Sequence, residues 1–126
     1  MSVRRPFVAG NWKMNPDYAG AKTLSEALGP ALRDHLEHVD VGACPTHLHM
    51  PGCGPVLRDA GLMVGAQDAY PGATGAFTGE VSVAMIEECG AAFCLTGHSE
   101  RRHVIGESDA VVRDKTHALL GAGLGC

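Results

Sequence analysis

The feature that most constrains this chain is a repeat of short apolar runs and longer helix-like segments. The apolar runs cover residues 7–10, 39–44, 62–66 and 91–95. Each is short and almost continuously apolar, which is typical of parallel strands covered by helices. They recur at roughly 25–35 residues, the length of a strand with its crossover helix. The repeat predicts an α/β fold with a parallel sheet.

The segments between the runs predict helices over residues 17–36, 46–59, 80–89 and 109–122. The first helix carries a predicted buried stripe of leucines spaced by four, namely Leu24, Leu28, Leu32 and Leu36. The second contains two prolines and two glycines, so we expect a poorer helix there. Ser108 is expected to cap the last helix and Gly123 to end it.

Two observations favour part of a barrel over an open doubly wound sheet. No Gly-x-Gly-x-x-Gly follows the first run, so the dinucleotide fingerprint is absent. Polar residues gather just beyond the strand ends, where (β/α)₈ barrels carry their chemistry. These residues are Asn11, Lys13, Gln67, Asp68, His98 and Glu100.

The net charge and the cysteine content limit the classes of partner and the cellular compartment that we expect. The formal net charge of −4 argues against a nucleic-acid partner, which requires a concentrated positive face. No apolar run approaches the ~20 residues that span a bilayer, so no membrane partner is expected. The five cysteines are odd in number and form no Cys-x-x-Cys pair. We therefore expect a reducing, cytoplasmic location without a disulfide framework.

Three residues at the predicted rim have side chains suited to an anionic substrate. A lysine at position 13 can stabilise negative charge and Asn11 can position it, although a lone lysine after a strand is more often a surface residue. His98 opens a short helical turn, whose positive end disfavours an imidazolium. A neutral imidazole can donate to a carbonyl that becomes an enediolate. The alternative is a rim histidine that only caps the turn.

Two other clusters invite a functional interpretation. Glu100 and Glu107 lie near Arg101 and Arg102, and we expect an ion-pair lattice that fixes the turn. Four further residues are cysteines and histidines, the residue types that bind zinc. Their spacing does not match that of the usual paired zinc ligands, so no metal site is expected. These residues are Cys44, His47, His49 and Cys53.

Four motifs resemble signatures of the triosephosphate isomerase family. Residues 10–15 read Gly-Asn-Trp-Lys-Met-Asn, as after the family's first strand, and residues 64–68 read Val-Gly-Ala-Gln-Asp, as in its third. Residues 75–80 resemble the family's third loop, and residues 97–102 its strand-four signature, Gly-His-Ser-Glu-Arg-Arg. The motifs occur in the family's order. Residues 1–126 are thus expected to be the N-terminal half of one TIM-barrel domain, with its first four β/α units.

The resemblance implies the roles of the site residues. Asn11 and Lys13 would bind the substrate, and Lys13 would also stabilise the charge of phosphate and enediolate. His98 would be the catalytic electrophile. Glu100 would lie behind it, linked to Lys13, and Ser99 would lie near the resting base. The implied reaction interconverts dihydroxyacetone phosphate and glyceraldehyde 3-phosphate, with no cofactor or metal.

The resemblance also implies a homodimer. Thr78, at the tip of the third loop, would enter a neighbouring subunit and support its site, and Gln67 and Arg101 would brace that interface. Asp68 stands where the family usually has Asn, a change expected to act at the interface. Thr96 stands where a hydrophobic residue is usual.

The chain length sets a further expectation. A complete (β/α)₈ barrel needs about 250 residues, whereas this chain has 126. The family's catalytic glutamate and most of its phosphate-binding loops would lie beyond the fourth helix, so we expect the chain to be inactive alone. The alternative is a non-catalytic half barrel that self-associates through the free edges of its first and fourth strands.

Overall fold

The structure is a computed structural model that describes residues 4–126, so the first three residues of the predicted domain lie outside the described residues. Four strands form one parallel sheet in the order β1-β2-β3-β4. They are β1 (Phe7–Asn11), β2 (Asp40–Cys44), β3 (Met63–Ala66) and β4 (Phe93–Cys94). The helices are α1 (Tyr18–Leu32), α2 (Met50–Asp59), α3 (Val83–Glu88) and α4 (Asp109–Gly121). The predicted alternation of strands and helices is confirmed.

The register brings all four carboxyl ends of the strands to one edge of the sheet. Asn11 pairs with Cys44 at the end of β1 and β2, and Ala66 pairs with Cys94 at the end of β3 and β4. The amide of Trp12 extends this pattern, donating to the Cys44 carbonyl at 3.2 Å. Residues that follow the strands therefore share one rim.

The leucine stripe predicted for α1 is only partly buried. The fully buried residues of α1 are Ala21, Ser25 and Gly29, whereas Leu24 is 37% exposed. A Cβ on Gly29 would lie 2.6 Å from the Cβ of Ala60 at the end of α2. The two helices approach too closely for large side chains in the contact row, and Leu28 and Leu32 pack against the core beside it. Leu36 also packs against the core but lies beyond the end of α1 at Leu32, since the helix is shorter than predicted.

The first strand is not buried as the sequence led us to expect. Phe7 is 46% exposed and Val8 is 60% exposed, because β1 is the edge of the sheet and pairs only with β2.

On one face of the sheet, the aromatic ring of Phe93 packs directly against the glycines of β2 and β3. A Cβ on Gly42 would come within 2.7 Å of that ring. Glycine at this position lets one aromatic ring cover the middle of the sheet.

The edge at β4 also differs from the expectation of a free strand. The amide of Cys94 donates to the carbonyl of Gly125, and the amide of Gly125 donates to the carbonyl of Ala92, both at 3.0 Å. The chain after α4 therefore lies parallel to β4 and occupies its outer edge. β1 remains a free edge among the described residues.

The helix ends follow from their capping residues. The helix predicted from residue 46 begins as a 3₁₀ turn, His47–His49, and becomes α-helical at Met50. The helix predicted over 80–89 begins only after Ser82, whose hydroxyl accepts from the Met85 amide at 3.2 Å. The predicted cap at Ser108 is confirmed, since its hydroxyl accepts from the Val111 amide. Gly123, at φ +81°, follows the last helix as expected.

No described helix combines the length and the apolar character that crossing a bilayer requires.

We predict that Gly29→Ala lowers the free energy of unfolding by about 1–2 kcal/mol, because its methyl group would overlap that of Ala60. Gly121→Ala is the matched control, since a Cβ there meets nothing within 4 Å. The control should be neutral or gain up to about 1 kcal/mol from helix propensity. Urea unfolding of both variants measures the difference, and equal stabilities would contradict the close packing of α1 on α2.

Candidate functional site

An open cleft of about 700 Å³ lies at the rim where the strands end. Its size suits a small-molecule ligand. The residues predicted from the strand ends line it together, namely Asn11, Lys13, Gln67, Asp68, His98 and Glu100. The parallel register accounts for this, because it gathers the segments that follow β1, β3 and β4 at one edge.

Lys13 has a strained backbone. Its φ is +54°, and it is the only described residue other than glycine with a positive φ. Such a conformation costs about 1–3 kcal/mol and persists only where its surroundings hold it. Here the Lys13 amide donates to the Asn11 side-chain oxygen at 2.9 Å, and the Lys13 carbonyl accepts from the Gln67 side-chain amide at 2.7 Å. The strain indicates that the position of the lysine serves a function.

Gln67 joins three strand ends. Besides Lys13, its amide nitrogen donates to the Cys44 carbonyl at 2.9 Å, so the segment after β3 holds both β1 and β2. The sequence suggested Gln67 only for a subunit interface. That role stays a prediction, whereas the contacts within this chain are clear.

The Lys13 ammonium pairs with Glu100. Its Nζ lies 2.6 Å from Oε1 of Glu100, and each side chain is 51% exposed. The hydrogen bond from Lys13 is the main reason that the pKa of Glu100 is lowered. An ion pair this exposed contributes little to stability. Its main effect is to fix the position of the Lys13 ammonium in the cleft.

His98 accepts a hydrogen bond at one ring nitrogen. The backbone amide of Glu100 donates to Nδ1 of His98 at 3.2 Å. A ring nitrogen that accepts carries no proton, so the proton of the neutral ring is on Nε2. The Glu100 carboxylate also lies 3.7 Å from Nδ1, but the shorter contact from the amide decides the tautomer. This contact therefore favours the tautomer of His98 that carries its proton on Nε2.

The remaining predicted site residues lie around this centre. Ser99 is exposed between His98 and Glu100. Thr78 lies on the exposed loop over residues 73–80 and is not among the residues that line the cleft. Arg101 lines the cleft and begins a π-helical turn, Arg101–Ile105.

The predicted ion-pair lattice has different partners from those expected. Arg101 does pair with Glu107 at 2.7 Å. Arg102, however, pairs with Asp109 at 2.5 Å, and Glu100 pairs with Lys13. The exchange follows from the turn, which directs Glu100 toward Lys13 and Arg101 toward Asp68 and Glu107.

Sequence reasoning missed Lys115, which is the buried centre of this lattice. Its side chain is 6% exposed and contacts the carboxylates of Asp68 and Glu107. Its place four residues before the buried Leu119 is a signal that it faces the core. Burial raises the pKa of Glu107, but hydrogen bonds from Lys115 and Arg101 outweigh it and leave that pKa lowered.

The four residues considered for zinc do not form a site. Across residues 4–126, no group of three His, Cys, Asp or Glu side chains could hold a metal ion. Nε2 of His47 instead lies 2.8 Å from the Asp68 carbonyl. Burial raises the pKa of the Cys44 thiol to about 12, which disfavours the thiolate that zinc binds.

Comparison with known proteins places these observations in one family. The sequence model described as Triosephosphate isomerase matches residues 6–126. The triosephosphate isomerase of Nitratidesulfovibrio vulgaris is 44% identical over 122 residues, covering 95% of this chain and 49% of that protein. That of Herpetosiphon aurantiacus is 41% identical, covering 97% and 48%. The crystal structure of triosephosphate isomerase from Bartonella henselae superposes with a TM-score of 0.82 at 34% identity, covering 96% of this chain and 49% of that one. The chain therefore spans about half the length of the relatives it matches.

We predict that the stability of the fold falls as the pH drops below the ordinary carboxyl range, with Glu107 as a main cause. Because its pKa is lowered in the fold, its contribution is present above its unfolded pKa, about 4.3, and is lost as the pH falls through the folded value. Glu107→Gln should cost about 1.5–3 kcal/mol at pH 7 and flatten the acid limb. Urea midpoints from pH 3 to 7 measure this, with the exposed Glu26→Gln as control. An unchanged acid limb in Glu107→Gln would contradict the assignment.

Proposed function

This chain belongs to the triosephosphate isomerase family, and on that premise we propose that it supplies the electrophilic side of an active site that interconverts dihydroxyacetone phosphate and glyceraldehyde 3-phosphate. One observation carries the proposal. The imidazole of His98, which accepts a hydrogen bond at Nδ1, and the ammonium of Lys13 share one cleft, and Glu100 contacts both of them. A neutral hydrogen-bond donor and a cation held in place can together stabilise a substrate oxygen that gains negative charge.

The chemistry follows from where charge develops. A base removes a proton from the carbon next to the substrate carbonyl, and the electron pair of that C–H bond moves to form the enediolate. The carbonyl oxygen gains the charge, and the Nε2–H of His98 can donate to it. The Lys13 ammonium stabilises the same anion and the phosphate, and Asn11 holds Lys13 in place. A proton then moves from the hydroxyl oxygen to the former carbonyl oxygen, and the base returns its proton to the former carbonyl carbon. Substrate and product therefore have the same oxidation level, and no cofactor is needed.

The two acids of this cleft that have cationic partners, Glu100 and Asp68, are unsuited to be the base. The pKa of Glu100 is lowered by Lys13, which makes it a weaker base. Asp68 is occupied by Lys115 and Arg101. We therefore assign proton abstraction to a carboxylate from the half of the family's fold that these 126 residues do not include. On this proposal the chain alone does not isomerise triose phosphates.

A second copy of the chain is the proposed macromolecular partner. Large apolar side chains are exposed near the cleft: Met14 at 93%, Leu48 at 86%, Val104 at 79% and Ile105 at 63%. Such a patch marks an interaction surface. The exposed loop with Thr78 would enter the partner's patch, with Gln67 and Arg101 behind it. Free thiols at all five cysteines support the proposed cytoplasmic location.

The free edge of β1 supports a second, non-catalytic candidate. β1 pairs only with β2, and its Phe7 and Val8 side chains are largely exposed. An exposed apolar edge strand is a template for pairing with another chain. A half barrel of this kind would self-associate through β1.

Isomerase assays test the first proposal. We expect no activity from the 126 residues alone, and activity when they are co-expressed with the second half of the Nitratidesulfovibrio vulgaris relative. In that assembly His98→Gln should lower kcat about 10²–10³-fold. His103→Gln, an exposed histidine of the same turn, should leave kcat unchanged. Activity of the chain alone would contradict the assignment of the base, and full activity of His98→Gln would contradict the electrophile.

Sedimentation of the chain alone tests the second candidate. Val8→Lys places a charge on the free edge and should shift self-associated chains to monomers. Val111→Lys on α4, at a 39% exposed position away from the edge, is the control. A monomeric wild-type chain, or an association insensitive to Val8→Lys, would exclude association through β1.

A further inference from the structure

A closed ring of contacts joins Lys13 to the turn that carries His98. The Lys13 carbonyl accepts from Gln67, whose neighbour in sequence is Asp68. Oδ2 of Asp68 lies 3.1 Å from a guanidinium nitrogen of Arg101. Arg101 follows Glu100, whose carboxylate returns to the Lys13 ammonium at 2.6 Å. Two peptide bonds and three polar contacts thus connect the segments after β1, β3 and β4.

The Asp68 to Arg101 contact is the one link of this ring that is shielded from water. The Asp68 side chain is 13% exposed and that of Arg101 is 32% exposed, whereas both members of the Lys13 pair are half exposed. An ion pair that is shielded from water holds its partners together more strongly than an exposed pair does. The rigidity of the ring therefore depends mainly on Asp68.

The two oxygens of Asp68 have separate cationic partners. Oδ1 lies 2.7 Å from the Lys115 ammonium, while Oδ2 faces Arg101. Glu107 contacts the same two cations, so the four side chains carry two positive and two negative charges. An asparagine would offer one oxygen and would turn an NH₂ group toward one of the cations. In this chain, the carboxylate at position 68 thus faces both cations at once.

We propose that Asp68 is a positioning residue, which holds Lys13 and the His98 turn at a fixed separation by balancing the buried charges of Arg101 and Lys115. Loss of its charge leaves two cations facing one carboxylate. Arg101 then withdraws, the ring opens, and the strained backbone of Lys13 and the turn before Arg101 relax. The role of Asp68 in catalysis rests on the proposed function, whereas its effect on the positions of Lys13 and the His98 turn can be measured without substrate.

Amide hydrogen exchange of the chain tests this directly. The reporters are the amides of Lys13 and Glu100, which donate to Asn11 and His98. The reference is the Ala92 amide, which donates to the Val64 carbonyl at 2.8 Å within the sheet. In Asp68→Asn we expect exchange at both reporters to accelerate about tenfold or more relative to Ala92. Asp109→Asn, which removes the 96% exposed carboxylate that pairs with Arg102 of the same turn, should change neither.

The alternatives give distinct results. Acceleration of all three amides by the same factor would show that Asp68 supports only global stability, and unchanged reporters would show that it does not control the ring. Either result overturns the proposal. If Asp68→Asn does not fold, Lys115→Met is added, which restores the balance of charge and frees the asparagine oxygen for Arg101. The double variant should fold with slow reporter exchange, and fast exchange at the reporters would overturn the proposal.

Discussion

One side-chain amide holds the carboxyl edge of this sheet together. The NH₂ group of Gln67 donates to the carbonyls of Lys13 and Cys44, at 2.7 and 2.9 Å. β3 thereby ties down the ends of β1 and β2 at the point where main-chain pairing stops. The backbone of Lys13 stays at φ +54° because this amide holds its carbonyl while the Asn11 side chain holds its N–H group. The cleft, its cation and the contact with Glu100 all depend on that conformation.

The electrostatics of the rim are divided between an exposed layer and a buried one. The pair of Lys13 and Glu100 is half exposed and adds little to stability, but it places an ammonium where substrate can reach it. Beneath it, Lys115 and Glu107 are almost fully buried and hold α4 against the turn after β4. A buried pair of this kind is expensive to break, because one partner would be left as an unpaired charge. The buried pair of Lys115 and Glu107 thus stabilises the turn that carries Glu100, the partner of Lys13 in the exposed pair.

The sequence was informative where local chemistry decides the structure. The four apolar runs became strands and Ser108 became a cap, because these depend on neighbouring residues only. The rim residues were found from their position after strands, since a parallel register brings such positions together. The neutral state of His98 was predicted from the helical turn and stays a prediction, which the contact between the Glu100 amide and Nδ1 supports.

The errors concern contacts between distant segments. The leucine stripe of α1 was overestimated because the close approach of Ala60 requires small residues. The first strand was expected to be covered like the others, whereas it pairs only with β2 and its side chains are largely exposed. Lys115 was missed because its partners are 47 and 8 residues away in the chain. Thr78 and its role in a partner subunit remain predictions, since they depend on a second chain.

The central claim is that His98 presents an uncharged Nε2–H donor beside the Lys13 ammonium. Nitrogen-15 NMR of the imidazole at neutral pH measures this directly through long-range proton couplings. The account predicts a protonated, pyrrole-type Nε2 and an unprotonated, pyridine-type Nδ1, the latter accepting from the Glu100 amide. Two pyrrole-type nitrogens, or a proton on Nδ1, would contradict it.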